Sequence, residues 1–150
     1  TIQNGSHAAQ ISSCEARGNR GDGIYCLEVD QNTIFNNLVM ANGQYGIRLR
    51  GAAQTTIMGN LVRGNSQQEN NRYTEILLDD SPLRASTDCM IASNNVICDG
   101  AIRSQYGIQE TAGTGDLLQT RNAFLANRVL GAVTTNFLVS GRSTMLDGNL

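Results

Sequence analysis

The stretch Thr33–Asn65, TIFNNLVMANGQYGIRLRGAAQTTIMGNLVRGN, contains the same phrase twice, and that repetition restricts the chain to very few folds. Thr33-Ile34-Phe35-Asn36-Asn37-Leu38-Val39 returns 23 residues later as Thr56-Ile57-Met58-Gly59-Asn60-Leu61-Val62. Ala41-Asn42 returns as Gly64-Asn65 at the same offset. Self-similarity at a fixed period of this size marks stacked-repeat architectures. Looser copies follow at Ile11-Ser12-Ser13-Cys14, Ile91-Ala92-Ser93-Asn94, Phe124-Leu125-Ala126-Asn127 and Leu146-Asp147-Gly148-Asn149. One column of the alignment therefore runs Cys14, Asn37, Asn60, Asn94, Asn127, Asn149. A second phrase interleaves with the first: Gly23-Ile24, Gly46-Ile47, Glu75-Ile76, Gly107-Ile108 and Asn136-Phe137.

Each repeat holds short β-prone runs broken by Gly and Asn, none long enough to fold alone. In the second phrase, apolar residues alternate at a spacing of two: Ile24 and Cys26, Ile47 and Leu49, Ile76 and Leu78, Phe137 and Val139. That spacing turns one face inward. In the first phrase the spacing is three and then two, as in Ile34, Asn37, Val39. The Asn interrupts the alternation, so it is expected at a bend, where it tolerates left-handed backbone and its amide bonds backbone groups. Stacking such bends about 4.8 Å apart would let the amides bond one another as a ladder. The expected fold is all-β: a solenoid of parallel strands, about five coils long.

The pattern Gly-Ile-x-Leu-x-Gly, then Ile-x-Gly-Asn-x-Val-x-Gly-Asn, resembles the right-handed parallel β-helix repeat of pectate-lyase-like proteins. That superfamily includes pectate lyases, polygalacturonases, alginate epimerases, periplasmic NosD-type proteins and many phage tailspikes. The resemblance covers roughly Ile11 to Asn149. It implies an extracellular or virion-surface shaft that binds polysaccharide, or alternatively a polysaccharide lyase, hydrolase or epimerase acting on an acidic glycan. The repeat specifies the fold far more than the chemistry.

Composition narrows the partners. A net charge of −2 argues against general nucleic-acid binding, and all 11 basic residues are Arg. No apolar run is long enough to cross a membrane, and Thr1 to Gln10 lacks a signal-peptide pattern. An aromatic content of 5%, without Trp, weakens the case for a sugar-stacking platform. Residues 1–150 are expected to form a single domain, either a piece of a longer chain or one capped by association, because neither end offers an amphipathic cap. The coil length changes in three loops: Ser66 to Tyr73, Asp79 to Asp88, and Gly113 to Asp116. Insertions on a rigid scaffold are where binding concentrates. Asp116 to Leu130 also carries a capping-box spacing and a helical period, but its alignment with the other copies favours strands.

The four cysteines match no zinc spacing, and His7 is the only histidine. Cys26 and Cys98 fall in inward columns and Cys14 stands in the ladder column, so buried free thiols are expected, with a Cys14–Cys26 disulfide as the alternative. Near the amino terminus, His7 is expected to be inert. In the resembled superfamily the active groove runs along the outer face of the first strand and its flanking turns. On that face Glu28 aligns with Asp80 two coils on, and Asp79 adjoins it. Two coils span about 9–10 Å, the upper end of the range for an inverting pair of carboxylates. The candidate catalytic residues are therefore Glu28, Asp79 and Asp80, and the candidate substrate-binding residues are Arg48, Arg50, Tyr25 and Glu75. A solvated face with cross-strand salt bridges explains the same residues without chemistry. No cofactor motif is present; Asp79, Asp80 and Asp88 leave calcium as an alternative. Glu110 falls in an inward column without an evident partner.

The outward positions add one more expectation. Phe35, Met58, Ala92 and Leu125 form one apolar row, beside Thr33, Thr56, Met90, Ala123 and, one place out of step, Met145. Leu38 and Leu61 form another, and Met40, Ile97 and Leu130 a fourth. Rows of this extent call for a partner. The resemblance to tailspikes implies a homotrimer, with the polar face left to a carbohydrate polymer.

Overall fold

Three parallel sheets wrap one apolar column. The structure, a computed structural model, describes residues 1–3 and 6–150. The first sheet stacks β1 (Ile2–Gln3), β4 (Ile24–Leu27), β7 (Ile47–Arg50), β10 (Thr74–Asp79), β13 (Tyr106–Glu110) and β16 (Thr135–Val139). The second stacks β2 (Gln10–Ser12), β5 (Thr33–Phe35), β8 (Thr56–Met58), β11 (Met90–Ala92), β14 (Ala123–Leu125) and β17 (Met145–Asp147). The third stacks β3 (Glu15–Arg17), β6 (Leu38–Met40), β9 (Leu61–Arg63), β12 (Asn95–Ile97) and β15 (Arg128–Leu130). Every pairing of these strands is parallel, and each strand bonds to its counterpart one coil away. The chain is a right-handed parallel β-helix of about five coils, the hand expected of parallel crossovers. No helix occurs among the described residues, and Asp116 to Leu130 resolves into β14 and β15.

The register follows the repeat. Ile34, Ile57, Ile91, Phe124 and Leu146 stack directly, as do Ile24, Ile47, Ile76, Ile108 and Phe137. Like residues on like residues fill each layer at native density, and most of these side chains are fully buried. Met145 pairs with Ala123 and so lies in step with its row, not one place out of it.

The asparagine ladder is present. The backbone N–H and side-chain amide of Asn37 both donate to Asn60 Oδ1, at 2.9 and 3.0 Å. Asn60 donates likewise to Asn94, Asn94 to Asn127, and Asn127 to Asn149. The bend differs in detail from the expectation. The left-handed residue is the one before the ladder position: Ser13, Asn36, Gly59, Ser93, Ala126 and Gly148 have φ between 50° and 65°. Reversing the chain one step early lets the ladder residue itself point inward and stack. The same device turns the other corners, at Ala41 before Asn42 and at Gln31 before Asn32.

A second ladder, Asn19–Asn42–Asn65, ends on Glu75. Here the loop Ser66 to Tyr73 interrupts the coil, and the Glu75 carboxylate replaces the next asparagine oxygen. It accepts from the Asn65 backbone N–H at 2.9 Å, from the Asn65 amide, and from the Ser104 hydroxyl at 2.7 Å. Glu110 acts similarly, accepting from Asn122 Nδ2, the Gly141 N–H and the Thr144 hydroxyl at 2.7–2.9 Å. Its inward position is thus explained: a buried carboxylate is tolerated where several donors converge on it.

Cys26, Cys89 and Cys98 are buried free thiols, whereas Cys14 is exposed and free, its thiol donating to the Ser12 carbonyl. The expected burial of Cys14 fails because it stands on the outermost rung of the ladder, with no coil packed above it. His7 lies 3.6 Å from Asp30.

Candidate functional site

Alternation in the first sheet sends Ile47 and Leu49 inward and Arg48 and Arg50 outward. The outer face therefore carries columns that run along the helix axis. One aligns Tyr25, Arg48, Leu77 and Gln109; the next aligns Leu27, Arg50 and Asp79. At its centre, the Arg48 guanidinium lies over two aromatic rings, 5.5 Å from the Tyr25 centroid and 4.8 Å from that of Tyr45. Its Nη2 meets Asp79 Oδ2 at 3.3 Å. Tyr73 closes edge-on against Tyr45, with centroids 5.2 Å apart. Asp22 sits at the margin, its carboxylate accepting the Tyr45 N–H. Two tyrosines thus flank the Arg48 guanidinium, and the third, Tyr73, packs on one of them and lies 5.4 Å from the Arg72 guanidinium.

The electrostatics follow from partial burial. Burial pushes the Asp22 carboxyl up, against the lowering effects of the Tyr45 N–H and Arg48. Burial also raises the Tyr45 phenol, and Arg48 only partly offsets it. Arg48 uses few of its five donors: its Nε is buried without a partner, and the Asp79 contact is long. A guanidinium held between aromatic faces with donors to spare is prepared for an anionic or hydroxyl-bearing ligand.

The expected residues divide into those on this face and those that are not. Tyr25, Arg48, Arg50 and Asp79 are on it. Glu28 and Asp80 share one column, two coils apart, because Leu27 pairs with Arg50 and Arg50 with Asp79. Asp80 is 8% exposed, and its carboxylate accepts from the Thr114 hydroxyl. Burial alone would raise it, but hydrogen bonds from Thr114 and within the Asp79–Asp80 pair hold it below the usual carboxylate range. Arg50 donates through Nε to the Asp80 carbonyl at 2.9 Å. Glu75 is not on the face at all: it is fully buried beneath Asn65, and burial raises its carboxyl to about 7. The position read as part of the outer surface points inward, because the glycine column it occupies lines the corner of the coil.

Asp88 is engaged by Arg121 in a two-pronged pair at 2.6–2.7 Å. No group of three or more His, Cys, Asp or Glu side chains suited to a metal occurs among the described residues. Burial raises the thiols of Cys26 to about 11 and Cys89 to about 12, and raises that of Cys98 as well.

Asp22, Tyr45 and Tyr73 were not singled out by the sequence. Alternation could not have found them: Tyr45 lies two residues before the inward Ile47, where a period of two would place it inward, but it precedes β7 and lies in line with Asp22. A shallow, open concavity lies elsewhere, at the last coil beside Phe137, Leu146 and Asn149. It holds no comparable gathering of polar and aromatic groups.

Solved structures with the same fold include the A-module of mannuronan C-5 epimerase AlgE6 from Azotobacter vinelandii. That match has a TM-score of 0.82 at 20% identity and covers 99% of this chain and 40% of that one. The periplasmic alginate epimerase AlgG matches with a TM-score of 0.68 at 15% identity, over 95% of this chain and 35% of that one. The enzymatically active domain of bacteriophage CBA120 tailspike protein 2 matches at 0.60 and 14%, over 96% and 23%. The chain thus spans less than half the length of each, and at these identities the likeness shows the fold. No curated protein sequence matches the chain significantly. The sequence profile described as periplasmic copper-binding protein (NosD) matches residues 2–140. With nearly the whole chain inside that profile, and a right-handed parallel β-helix beneath it, the protein belongs to the NosD family.

Proposed function

We propose that this chain is a polysaccharide-binding β-helical shaft that works outside the cytoplasm and holds an acidic glycan on the outer face of its first sheet. The observation that carries the reading is Arg48 held against the Tyr25 and Tyr45 rings, with Tyr73 edge-on to Tyr45, which sets ring faces beside a guanidinium on the outer face of the sheet. The structural neighbours, two alginate epimerases and a tailspike enzymatic domain, agree with a carbohydrate partner. The family's description as periplasmic agrees with the location.

Binding is favoured over catalysis by the state of the carboxylates. A general base should have a pKa near the working pH and an open path to substrate. Asp80 is held low, Asp79 is paired with Arg48, and Glu75, which does reach about 7, is sealed in the core. The alternative, a modifying enzyme, rests on the shared column of Glu28 and Asp80, at about 9–10 Å.

Copper does not fit the described residues. A soft-metal site needs thiolate, thioether or imidazole donors gathered at one point. Here three thiols are buried with raised pKa values, and His7 faces Asp30 at the other end of the chain's first coil.

Self-association through the apolar faces of the second and third sheets belongs to the same reading, since it leaves the first sheet in water. The test is titration calorimetry with polyuronate and neutral oligosaccharides, alongside assays for reducing ends and unsaturated products. Binding is expected with the acidic glycans only, weakening with salt. Arg48→Ala and Tyr45→Ala should each weaken it at least tenfold, on the order of 1.4 kcal/mol, without lowering Tm. Unchanged affinity in Arg48→Ala, or no affinity for any acidic glycan, would overturn the reading. Product formation that stops in Asp80→Asn would establish the enzyme instead.

A further inference from the structure

The third sheet presents a face that charge and shape make complementary to itself. Its outward residues form two columns. One runs Glu15, Leu38, Leu61, Asn95, Arg128; the other runs Arg17, Met40, Arg63, Ile97, Leu130. The middle of the face is apolar, with Leu38, Leu61, Met40 and Ile97 half-buried and Leu130 41% exposed. The first column carries opposite charges at its two ends. Among the described residues, Glu15 meets only the neighbouring Arg17, at 3.9 Å, and the Arg128 guanidinium only the neutral Asn95, at 3.2 Å. Arg63, by contrast, is fully engaged by Asp99 in a two-pronged pair.

We propose that two copies of this chain pack through their third sheets in opposite directions, about a two-fold axis that lies along β9. Leu61 is the third of five residues in its column. A two-fold at β9 therefore sets coil against coil in reverse order while keeping each column facing its own counterpart. Glu15 of one copy meets Arg128 of the other, Leu38 meets Asn95, and Leu61 meets Leu61. In the neighbouring column Met40 meets Ile97. The symmetry makes every contact twice, so both uncompensated ends are neutralised together and the apolar centre is covered. The two Arg63 side chains come close to the axis, but each arrives with its own Asp99. A parallel arrangement, about a two-fold along the helix axis, would instead exchange the two columns, setting Leu61 on Arg63 and Arg128 on Leu130, so that Arg128 stays without a counter-charge. The rim charges select the partner and its direction, and the aliphatic residues supply the area. The first sheet stays in water on both copies, pointing away from the contact, so this interface stands independently of any glycan.

The test uses the whole chain. Light scattering at micromolar concentration should give twice the mass of the 16.1 kDa chain. Glu15→Arg and Arg128→Glu should each weaken association at least tenfold, and the double variant should restore it. Leu61→Cys in a Cys14→Ser background should be joined into a covalent dimer by a bis-maleimide of about 8 Å span, since the proposed axis sets the two Leu61 positions opposite one another across sheets about 10 Å apart. Circular dichroism distinguishes loss of association from loss of fold in each variant. A monomer at every concentration, a three-fold assembly, a double variant that fails to restore association, or a Leu61→Cys chain that does not cross-link would each overturn the proposal.

Discussion

Replacing Asn60 with leucine should destabilise the β-helix by about 3–5 kcal/mol, more than almost any other single exchange in this chain. Asn60 occupies the middle of the main ladder and is 1% exposed. Its amide donates to the Ile34 and Met58 carbonyls and to Asn94 Oδ1, and its oxygen accepts both the backbone N–H and the amide of Asn37. Leucine has similar volume but no polar atom. It would leave the Asn37 N–H, the Asn37 amide and the Ile34 carbonyl without those partners in a place water cannot reach. Each stranded group costs about 1–3 kcal/mol, and part is recovered as the coil relaxes. Asn60→Asp should be no milder, because its second oxygen would face the Ile34 and Met58 carbonyls and Asn94 Oδ1, all acceptors, in a buried site. The check is denaturant unfolding of the two variants. Equal stability of Asn60→Leu and the parent would show that the amide stack is decorative.

The pH dependence of stability should carry a signature of Glu75. Its carboxyl has an ordinary value of 4.5 and rises to about 7 in the fold, chiefly by burial, against the lowering effect of its bonds to Asn65 and Ser104. Other titratable groups near it are Asp99 and Cys98, whose interaction disfavours a second negative charge. Between about pH 4.5 and 7 the folded chain keeps a proton that the unfolded chain has released. The unfolding free energy must therefore fall as pH rises through that window, then level off above it. At about 1.4 kcal/mol per unit, the loss is on the order of 3 kcal/mol, or roughly 6–12 °C in Tm for a domain of this size. The carboxylates held low by hydrogen bonds or arginine, Asp80, Asp88 and Asp99, act in the opposite sense and at lower pH, so they do not mask it. Thermal melts at pH 5 and pH 8 test this. Glu75→Gln changes the ladder end whatever the pH, but it must abolish most of the difference between the two melts. A slope that survives in Glu75→Gln would assign it elsewhere, Asp22 first, since burial raises that carboxyl too.

The two predictions rest on information of different kinds. Asn60 was identifiable from the repeat alone. A column of asparagines at the stacking period has one physical use, and the amide–amide bonds at 2.9–3.0 Å are that use. The hydrophobic columns and the pairing of Glu28 with Asp80 across two coils were equally visible. In a parallel solenoid each repeat lies directly on the previous one, so alignment in sequence is register in space.

Glu75 shows where that logic stops. It interrupts a glycine column, and an acid replacing glycine reads naturally as an exposed functional group. Its true role depends on the loop Ser66 to Tyr73, which breaks the second ladder after Asn65 and leaves its donors without an acceptor. Only the folded corner shows that Glu75 is the side chain close enough to supply one. The same holds for Glu110, whose donors Asn122, Gly141 and Thr144 come from the following turn and coil.

The site around Arg48 was half visible for a related reason. Alternation along β7 placed Arg48 outward, and the strand register brought Tyr25 and Asp79 beside it. Tyr45 and Tyr73 lie just before the strands, where the chain turns a corner and periodicity no longer sets side-chain direction. The packing of Tyr45 against the guanidinium, and of Tyr73 on Tyr45, is decided by the angle of that corner, and the angle by the left-handed steps at Ala41 and Gly64 and the ladder behind them. Sequence by itself therefore determined what recurs once per coil: the strands, their register, the core columns and the main ladder. Tertiary structure decided what happens where the recurrence breaks, because there each side chain answers to whichever donors, acceptors and rings the fold leaves uncovered.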